Sequence, residues 1–187
     1  MIRLATVPSG RYSDRIMKRE ALLDAAECVL FERGTQALTL AAVAERAGVS
    51  KGGLLYHFPN KEALIRALVA RLIEEFDALV ARHEGDSYSR AYVKATFDFL
   101  AGDDSERTQR RWTAITAAAA SPELIAPLRE AISRWHRPDP GDDPDPLVGL
   151  IARLASEGLC EVTAHNPGLY DAKQYAALRQ RLLDLLG

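Results

Sequence analysis

The sequence predicts an all-α protein. Apolar residues recur at helical spacing along almost the whole chain of 187 residues, and no segment shows the alternating, β-branched pattern of a strand. The composition of 48% hydrophobic and 27% charged residues is that of a globular protein. We therefore expect an amino-terminal three-helix domain over residues 1–60 and a helical bundle over residues 61–187, with about nine helices in all.

The first two predicted helices lie before residue 48. The first runs from about Asp14 to Arg33 and ends at Gly34, because glycine is common just past a helix end. Its apolar stripe comprises Ile16, Leu23, Ala26, Val29 and Leu30. The second helix is short, since Thr39 is placed to cap it and Gly48 ends it. Its inward face comprises Leu40, Val43, Ala44 and Ala47.

The third helix is capped by Ser50, ends before Pro59 and has two adjacent glycines in its first turn. Glycine inside a helix costs about 1 kcal/mol relative to alanine, so the pair needs an explanation. At about 100° per residue, the inward edge comprises Leu54 and Phe58, and the outward face comprises Gly52, Gly53 and Tyr56. The outward face therefore starts with bare backbone.

Two explanations fit this bare first turn. Either the helix packs closely against a neighbouring helix of the same chain, or its amino end approaches an external surface. Lys51 precedes the glycines, His57 and Lys61 follow them, and helix amino ends attract anions. Residues 1–61 contain nine Lys or Arg against six Asp or Glu, whereas residues 62–187 contain fifteen against twenty. The second explanation therefore points to a polyanion such as DNA, with the first turn in its major groove.

The layout of these helices is informative as well. A capped short helix, the turn AGV and a second capped short helix form the helix-turn-helix arrangement, in which the second helix reads DNA. The segment from about Ile16 to Leu68 includes EALLDAAECVLFERG and LTLAAVAERAGVSKGGLLYHFPNKEALI, and it resembles the DNA-binding domain of TetR-family transcriptional repressors. The resemblance implies phosphate contacts by Thr39, Tyr56, His57 and Lys61, and base-edge contacts by Lys51, Gly52 and Gly53 behind the Ser50 cap.

The sequence departs from a common pattern of that family at two positions. Gly53 stands where a threonine is frequent, and Leu55 stands where an aromatic residue is frequent. Both changes remove hydrogen bonds to DNA, so we expect readout to depend on Lys51 and on DNA shape. Four basic residues precede this region and either add phosphate contacts or form a solvated helix start. They are Arg11, Arg15, Lys18 and Arg19.

The remainder of the chain predicts a helical bundle. A long helix runs from about Lys61 to His83 and ends at Gly85, and at 1.5 Å per residue it spans roughly 34 Å. The later predicted helices are Tyr88–Ala101, Glu106–Ala120, Pro122–Trp135, Leu147–His165 and Asp171–Leu186. The intervening RPDPGDDPDP has four aspartates but lacks the spacing of a calcium-binding EF-hand loop. We expect it to be a solvated linker.

In TetR-like proteins such a bundle binds a small molecule and forms a homodimer. Candidate ligand residues are aromatic or hydroxylated and occur in the middle helices: Phe76, Tyr92, Thr96, Phe99, Trp112, Thr116 and Trp135. Plain core packing is the alternative for each of them. The basic run Arg107, Arg110 and Arg111 either favours an acidic ligand at the pocket mouth or forms a solvated face.

Dimer formation is predicted from two apolar stripes near the carboxyl end of the chain. The candidate interface comprises Leu147, Ile151, Leu154, Gly158 and Val162 in one helix, and Tyr175, Leu178 and Leu182 in the last. Ala155 and Gly158 are small enough for two helices to approach closely. Two helices from each subunit then form an isologous four-helix interface, unless both stripes belong to the core of a single chain.

Other functional classes lack support in the sequence. It has no G-x-S-x-G, glycine-rich phosphate loop or H-E-x-x-H motif, and its four histidines are scattered, so no enzyme activity is predicted. Cys28 and Cys160 lack metal-ligand spacing and are expected to be free thiols that are at least partly buried. We predict no metal and no cofactor. The amino end is too interrupted for a signal peptide and no apolar run spans a membrane, so we expect a cytoplasmic protein.

These features together predict a homodimeric repressor that binds a palindromic operator in double-stranded DNA and is released by a small-molecule effector. Two alternatives remain. One is a helix-turn-helix regulator controlled by a protein partner, for which the bundle core would be filled. The other is a helical ligand-binding protein that has lost DNA binding, for which the third helix would lack Lys51, Tyr56 and Lys61.

Overall fold

The computed structural model describes residues 9–101, 105–137, 141, 143–166 and 168–187. Within these residues the backbone forms nine α-helices and no strand, which confirms the predicted all-α class. Residues 1–8, on which the signal-peptide argument rests, lie outside the described part. None of the described helices is both long and apolar enough to cross a membrane.

The helix bounds follow the predicted order closely. The helices are α1 Ser9–Arg33, α2 Leu40–Arg46, α3 Lys51–His57, α4 Lys61–Ala81, α5 Tyr88–Ala101, α6 Ser105–Ala118, α7 Pro122–Trp135, α8 Pro146–His165 and α9 Ala172–Leu185. The largest difference is at α1, which begins five residues before the predicted Asp14. A 3-10 turn at Thr35–Ala37, absent from the prediction, connects α1 to α2.

The chain divides into two compact units, one ending at Leu68 and the other beginning at Val69. The predicted domain boundary lies after residue 60, at the start of α4, whereas the units divide within that helix. The first eight residues of α4, from Lys61 to Leu68, therefore belong to the first unit and not to the bundle. Each unit has buried apolar residues of its own.

The first unit is built on α1, α2 and α3. Leu23, Ala26, Val29 and Leu30 of the predicted stripe are buried, but Ile16 is 44% exposed, so its assignment to the core is wrong. The physical reason is length: α2 and α3 have seven residues each, about 10 Å of helix, and cannot cover all 25 residues of α1.

The second unit is organised around α5, which packs against α6, α8 and α9. Most residues of α5 are buried, as expected of a helix enclosed by others. One apolar cluster of this core comprises Val93, Phe97, Leu100, Ala152, Leu159, Leu183 and Leu186. Phe99, Cys160, Tyr175 and Leu182 pack against it and are partly buried.

The aspartate-rich segment between α7 and α8 is not simply a solvated linker, which corrects the prediction. Asp143 is only 6% exposed, and its carboxylate lies 2.9 Å from Nη1 of Arg153, which is itself buried. The backbone N–H and hydroxyl of Ser89 also donate to that carboxylate, at 2.8 and 2.6 Å. At Gly149 an added Cβ would lie 2.5 Å from Asp143 Oδ2, so glycine permits the close approach. The buried ion pair anchors the segment to α5 and α8.

Candidate nucleic-acid interface and ligand cavity

Side-chain caps define both helices of the helix-turn-helix. The Thr39 hydroxyl accepts a hydrogen bond from the Ala42 N–H at 3.1 Å, and the Ser50 hydroxyl accepts one from the Gly53 N–H at 3.1 Å. Gly48, in the turn between them, has φ +66°, a conformation that favours glycine. The local sequence signals therefore fold as the spacing predicts.

The outward face of α3 is as bare as the sequence predicts. Leu54 and Phe58 are buried at 0% and 2% exposure, whereas Lys51, Gly52 and Gly53 are exposed. Within the described residues, a Cβ added at Gly52 or Gly53 would approach only the Ser50 hydroxyl, at 4.0 and 3.4 Å.

Two explanations of the glycine pair are thereby removed. No helix in the described part of the chain packs against Gly52 or Gly53, so the intrachain-packing interpretation is wrong. Neither residue has a positive φ, so the backbone conformation does not demand glycine either. The pair therefore lowers helix propensity without a packing contact among the described residues.

The other candidate DNA contacts surround this face. Tyr56 is 72% exposed, and its ring lies edge-on to the half-buried ring of His57 at 5.2 Å. Thr39 is exposed and Lys61 is half-buried at the start of α4. Their side chains are therefore available at the two ends of the helix-turn-helix.

Of the four amino-terminal basic residues, the structure describes the side chains of Lys18 and Arg19. The side chains of Arg11 and Arg15 lie outside the described part of the structure. Arg19 lies over the Phe58 ring at 5.7 Å and donates to Glu20 at 2.9 Å, so its guanidinium packs within the unit. Phosphate contacts by the amino-terminal residues stay a prediction.

In the second unit, the bundle encloses a cavity of about 420 Å³. Six of the seven predicted ligand residues line it: Phe76, Thr96, Phe99, Trp112, Thr116 and Trp135. The volume falls within the range of about 300 to 1,000 Å³ for small-molecule sites. The bundle core is therefore not filled.

Tyr92 is not among the residues lining the cavity. Its ring packs edge-on against Phe76 at 5.2 Å, and its hydroxyl donates to the Glu157 carboxylate. Burial, followed by the nearby negative charge of Glu157, raises the pKa of Tyr92 well above its usual value. The hydroxyl therefore stays protonated and positions Glu157.

One wall of the cavity comes from α8 and was missed by the sequence analysis. The unpredicted lining residues are Gln109, Thr113, Leu128, Ile132, Glu157, Cys160, Glu161, Ala164 and His165. Glu157 and Glu161 lie one turn apart on α8, and this spacing is visible in the sequence. The sequence did not indicate which other helices face these two carboxylates. Burial raises the pKa of the Cys160 thiol to about 12, so it is protonated at neutral pH.

The basic run on α6 does not form the cavity mouth. Arg110 is exposed and pairs with Glu106, and Arg111 pairs with Glu75, with Nη2 2.9 Å from Oε1. None of the run is among the described residues that line the cavity. The geometry therefore gives the acidic-ligand interpretation no support.

The outward face of α8 exposes apolar side chains in a continuous stripe. The exposed fractions are 65% for Leu147, 53% for Ile151, 55% for Leu154 and 43% for Val162, and Leu178 on α9 is 39% exposed. Gly158 is also exposed, and an added Cβ there would meet no described atom within 4 Å. Tyr175 and Leu182 instead pack against the core of their own chain.

A helix-turn-helix followed by a helical bundle is the architecture of a class of transcriptional regulators. The chain belongs to the TetR family. Residues 22–68 match the family described as bacterial regulatory proteins, tetR family, and residues 86–187 match the tetracyclin repressor-like C-terminal domain. The second match alone covers more than half of the chain.

Curated relatives agree with this assignment. The regulator BetI of Burkholderia ambifaria is 33% identical over 152 residues, covering 78% of this chain and 77% of BetI. The regulator TtgR of Pseudomonas putida is 40% identical over 68 residues, covering 36% of this chain and 32% of TtgR. The match to TtgR therefore spans only about a third of that protein's length.

Solved structures share the fold. A TetR-family member from Streptomyces coelicolor superposes with a TM-score of 0.69 at 22% identity, covering 91% of this chain and 98% of that one. The multidrug binding protein EbrR, crystallised with malachite green, gives a TM-score of 0.65 at 23% identity, covering 90% and 98%. At these identities the likeness establishes the architecture.

Proposed function

We propose that this TetR-family regulator is a homodimeric repressor that binds a palindromic operator through α3 and leaves it when a small molecule occupies the bundle cavity. The observation that carries the DNA-binding part is the glycine pair, which is solvent-facing and serves no contact among the described residues. Bare backbone at the amino end of a helix allows close approach to DNA, where N–H groups meet phosphates and side chains reach base edges.

Dimer formation is supported by the exposed stripe of α8. Four large apolar side chains, each at least 43% exposed, lie on one side of one helix. A contiguous apolar surface of this kind is typical of an interaction site. A two-fold partner also places a second α3 one helical turn of DNA away, about 34 to 36 Å, which doubles the base contacts.

The cavity favours control by a small molecule over control by a protein partner, because a partner-controlled bundle would need no internal space. EbrR, which shares the fold, has been crystallised with imidazole, malachite green and ethidium. The exposed Lys51 and Tyr56 and the half-buried Lys61 favour a DNA-binding regulator over a bundle that has lost this role.

The coupling we propose is a shift between two conformations of the dimer. An effector that binds the released conformation better than the DNA-competent one increases the population of the former. Helix α4 begins in the first unit and continues in the second, so a tilt of α4 is the expected link. Structures with and without effector that kept the same distance between the paired α3 helices would contradict this coupling.

The experiment that tests the function is selection of bound sequences from a random double-stranded DNA pool, followed by affinity measurements across a salt series. We expect a palindrome to be enriched, with a steep loss of affinity as salt increases. Weak binding with no preferred sequence would overturn the proposal.

A further inference from the structure

The cavity lining contains two carboxylates and, among its described residues, neither lysine nor arginine. The carboxylates are those of Glu157 and Glu161. His165, at the same edge, has Nδ1 3.5 Å from the Glu161 carboxylate, and His136 Nε2 lies 3.7 Å from that of Glu157. Counted over Asp, Glu, Lys and Arg alone, the described lining carries two negative formal charges.

The hydroxyl groups of the cavity wall offer acceptors rather than donors. Thr96 donates to the Tyr92 carbonyl at 2.9 Å, Thr113 to the Gln109 carbonyl at 3.0 Å and Thr116 to the Trp112 carbonyl at 2.9 Å. A hydroxyl has a single proton to donate, so each of these oxygens has only lone pairs left for a ligand.

A fourth donor of the lining is used in the same way. The indole N–H of Trp135 donates to Asp77 Oδ1 at 2.7 Å. An anionic ligand would thus lose its hydration and find these four donors already used, whereas a cation would meet carboxylates and lone pairs.

The remaining wall is aromatic. The rings of Phe76 and Trp135 lie 4.7 Å apart between centroids, and those of Phe99 and Trp112 lie 5.8 Å apart. Aromatic faces attract cations and bury apolar groups at the same time. The two pairs of rings therefore suit a ligand that combines an apolar body with a positive charge.

We propose that the cavity binds a monovalent organic cation, with its charge beside Glu157 and Glu161 and its apolar body among the four rings. This assignment rests on the proposed function, because it names the chemical class of the effector. It differs from the acidic ligand, which was one of two interpretations of the arginine run of α6.

Two probe ions of nearly identical shape and opposite charge test the proposal. Tetraphenylphosphonium is the cation and tetraphenylborate is the anion. The chain has two tryptophans, Trp112 and Trp135, and both line the cavity, so intrinsic fluorescence reports its occupancy directly. We expect the cation to bind at least about tenfold more tightly than the anion.

Charge-neutralising variants locate the effect in the cavity. Glu157→Gln keeps an oxygen to accept the Tyr92 hydroxyl, and we expect it to weaken cation binding about tenfold. Glu161→Gln, at a more exposed position, is expected to weaken it about threefold. The control is Glu130→Gln, an exposed residue of α7 outside the cavity lining, which makes the same charge change and should leave affinity unchanged.

The outcomes separate the ligand class from the regulatory role. Equal affinity for both ions, tighter binding of the anion, no saturable quenching by the cation, or equal effects of all three variants would overturn the cation assignment. Thermal melts of each variant confirm that its fold is intact. Because no DNA is present in this assay, a chain that selects an operator but fails here keeps the proposed function and loses only the ligand class.

Discussion

The outward faces of α3 and α8 are both left uncovered by their own units, but in opposite ways. The face of α3 has almost no side chain in its first turn, whereas that of α8 has large apolar side chains at Leu147, Ile151 and Leu154. Bare backbone favours close approach to a polar, charged surface, and an apolar stripe favours burial against another apolar surface. The proposed function expects this difference, because it has the first face meet DNA and the second meet another copy of the chain.

The largest expected effect is the loss of dimer affinity when a charge is placed on the exposed face of α8. Leu154→Glu places one charge on each side of a two-fold interface, and we expect the dimer dissociation constant to rise about 1,000-fold because two charges lose their water. Analytical ultracentrifugation of the variant measures this change. Leu169→Glu, an exposed leucine outside the helices, is the matched control and should stay dimeric. A Leu154→Glu protein that remained a tight dimer would remove this face from the interface.

The next effect concerns the α3 face. Gly53→Glu adds bulk and negative charge where close approach to DNA is proposed, and we expect operator affinity to fall about 300-fold through like-charge repulsion. The fold and dimer should be unchanged, since the added Cβ meets only Ser50 at an ordinary contact distance. Binding is measured by fluorescence anisotropy with labelled operator. Normal binding would show that the glycine pair has no part in DNA contact.

A third prediction contrasts the exposed side of α8 with its buried side. Asp143→Asn leaves Arg153 buried without its counter-charge, and we expect the free energy of unfolding to drop by about 3 kcal/mol. Urea denaturation measures the loss. Asp145→Asn is the control, because Asp145 caps α8 at the surface and Asn caps a helix equally well. If both variants were equally stable, the buried pair would not anchor the segment.

The same pair predicts a pH dependence. Burial alone would raise the pKa of Asp143, but hydrogen bonds from Ser89 and the charge of Arg153 outweigh it and hold the pKa below its ordinary 3.8. A depressed folded-state pKa stabilises the protein above pH 3.8, and this contribution is lost as pH falls through the lower, folded-state value. The free energy of unfolding of Asp143→Asn should therefore fall less steeply as the pH is lowered into the acid range. An unchanged pH dependence would mean that other carboxylates cause the loss of stability in acid.

The smallest expected effect is that of Gly52→Ala, which should change stability and operator affinity in opposite directions. Gly52→Ala should raise the free energy of unfolding by about 0.5 to 1 kcal/mol, because alanine has the higher helix propensity and the Cβ meets no close neighbour. Operator affinity should fall slightly in the same variant. Urea denaturation measures the free energy of unfolding, and fluorescence anisotropy titrations measure the operator affinity of the same variant. A gain in both quantities would indicate that the glycine is incidental.

Local signals in the sequence were sufficient to predict most of the helices. The bounds of α5 and α7 agree with the spacing, and the caps Thr39 and Ser50 form the predicted hydrogen bonds. Such features depend on residues three or four positions apart, so the sequence contains all the information needed. Ile16 shows the limit, since its periodicity is correct but no neighbouring helix extends far enough to cover it.

The two candidate sites also differ in how much of each could be predicted from residues close together in the sequence. The exposed, bare first turn of α3 was predicted because one short helix and its caps define it, and its contacts with DNA stay a prediction. The cavity was predicted only on its aromatic side, because Glu157 and Glu161 become ligand candidates only when α8 is placed opposite Phe76 and Trp112. Tyr92 was assigned to the lining because burial and aromatic character do not reveal on which side of a wall a ring lies.

By itself, the sequence determined the all-α class, the helix-turn-helix, the bare front of α3 and the apolar stripe of α8, because each follows from spacing within one or two helices. Only the tertiary structure decided that the glycines have no intrachain neighbour, that Asp143 is buried against Arg153, and that the cavity is acidic rather than basic. Those properties depend on which distant segments meet, and the free energies of burial and charge pairing arise only at such contacts.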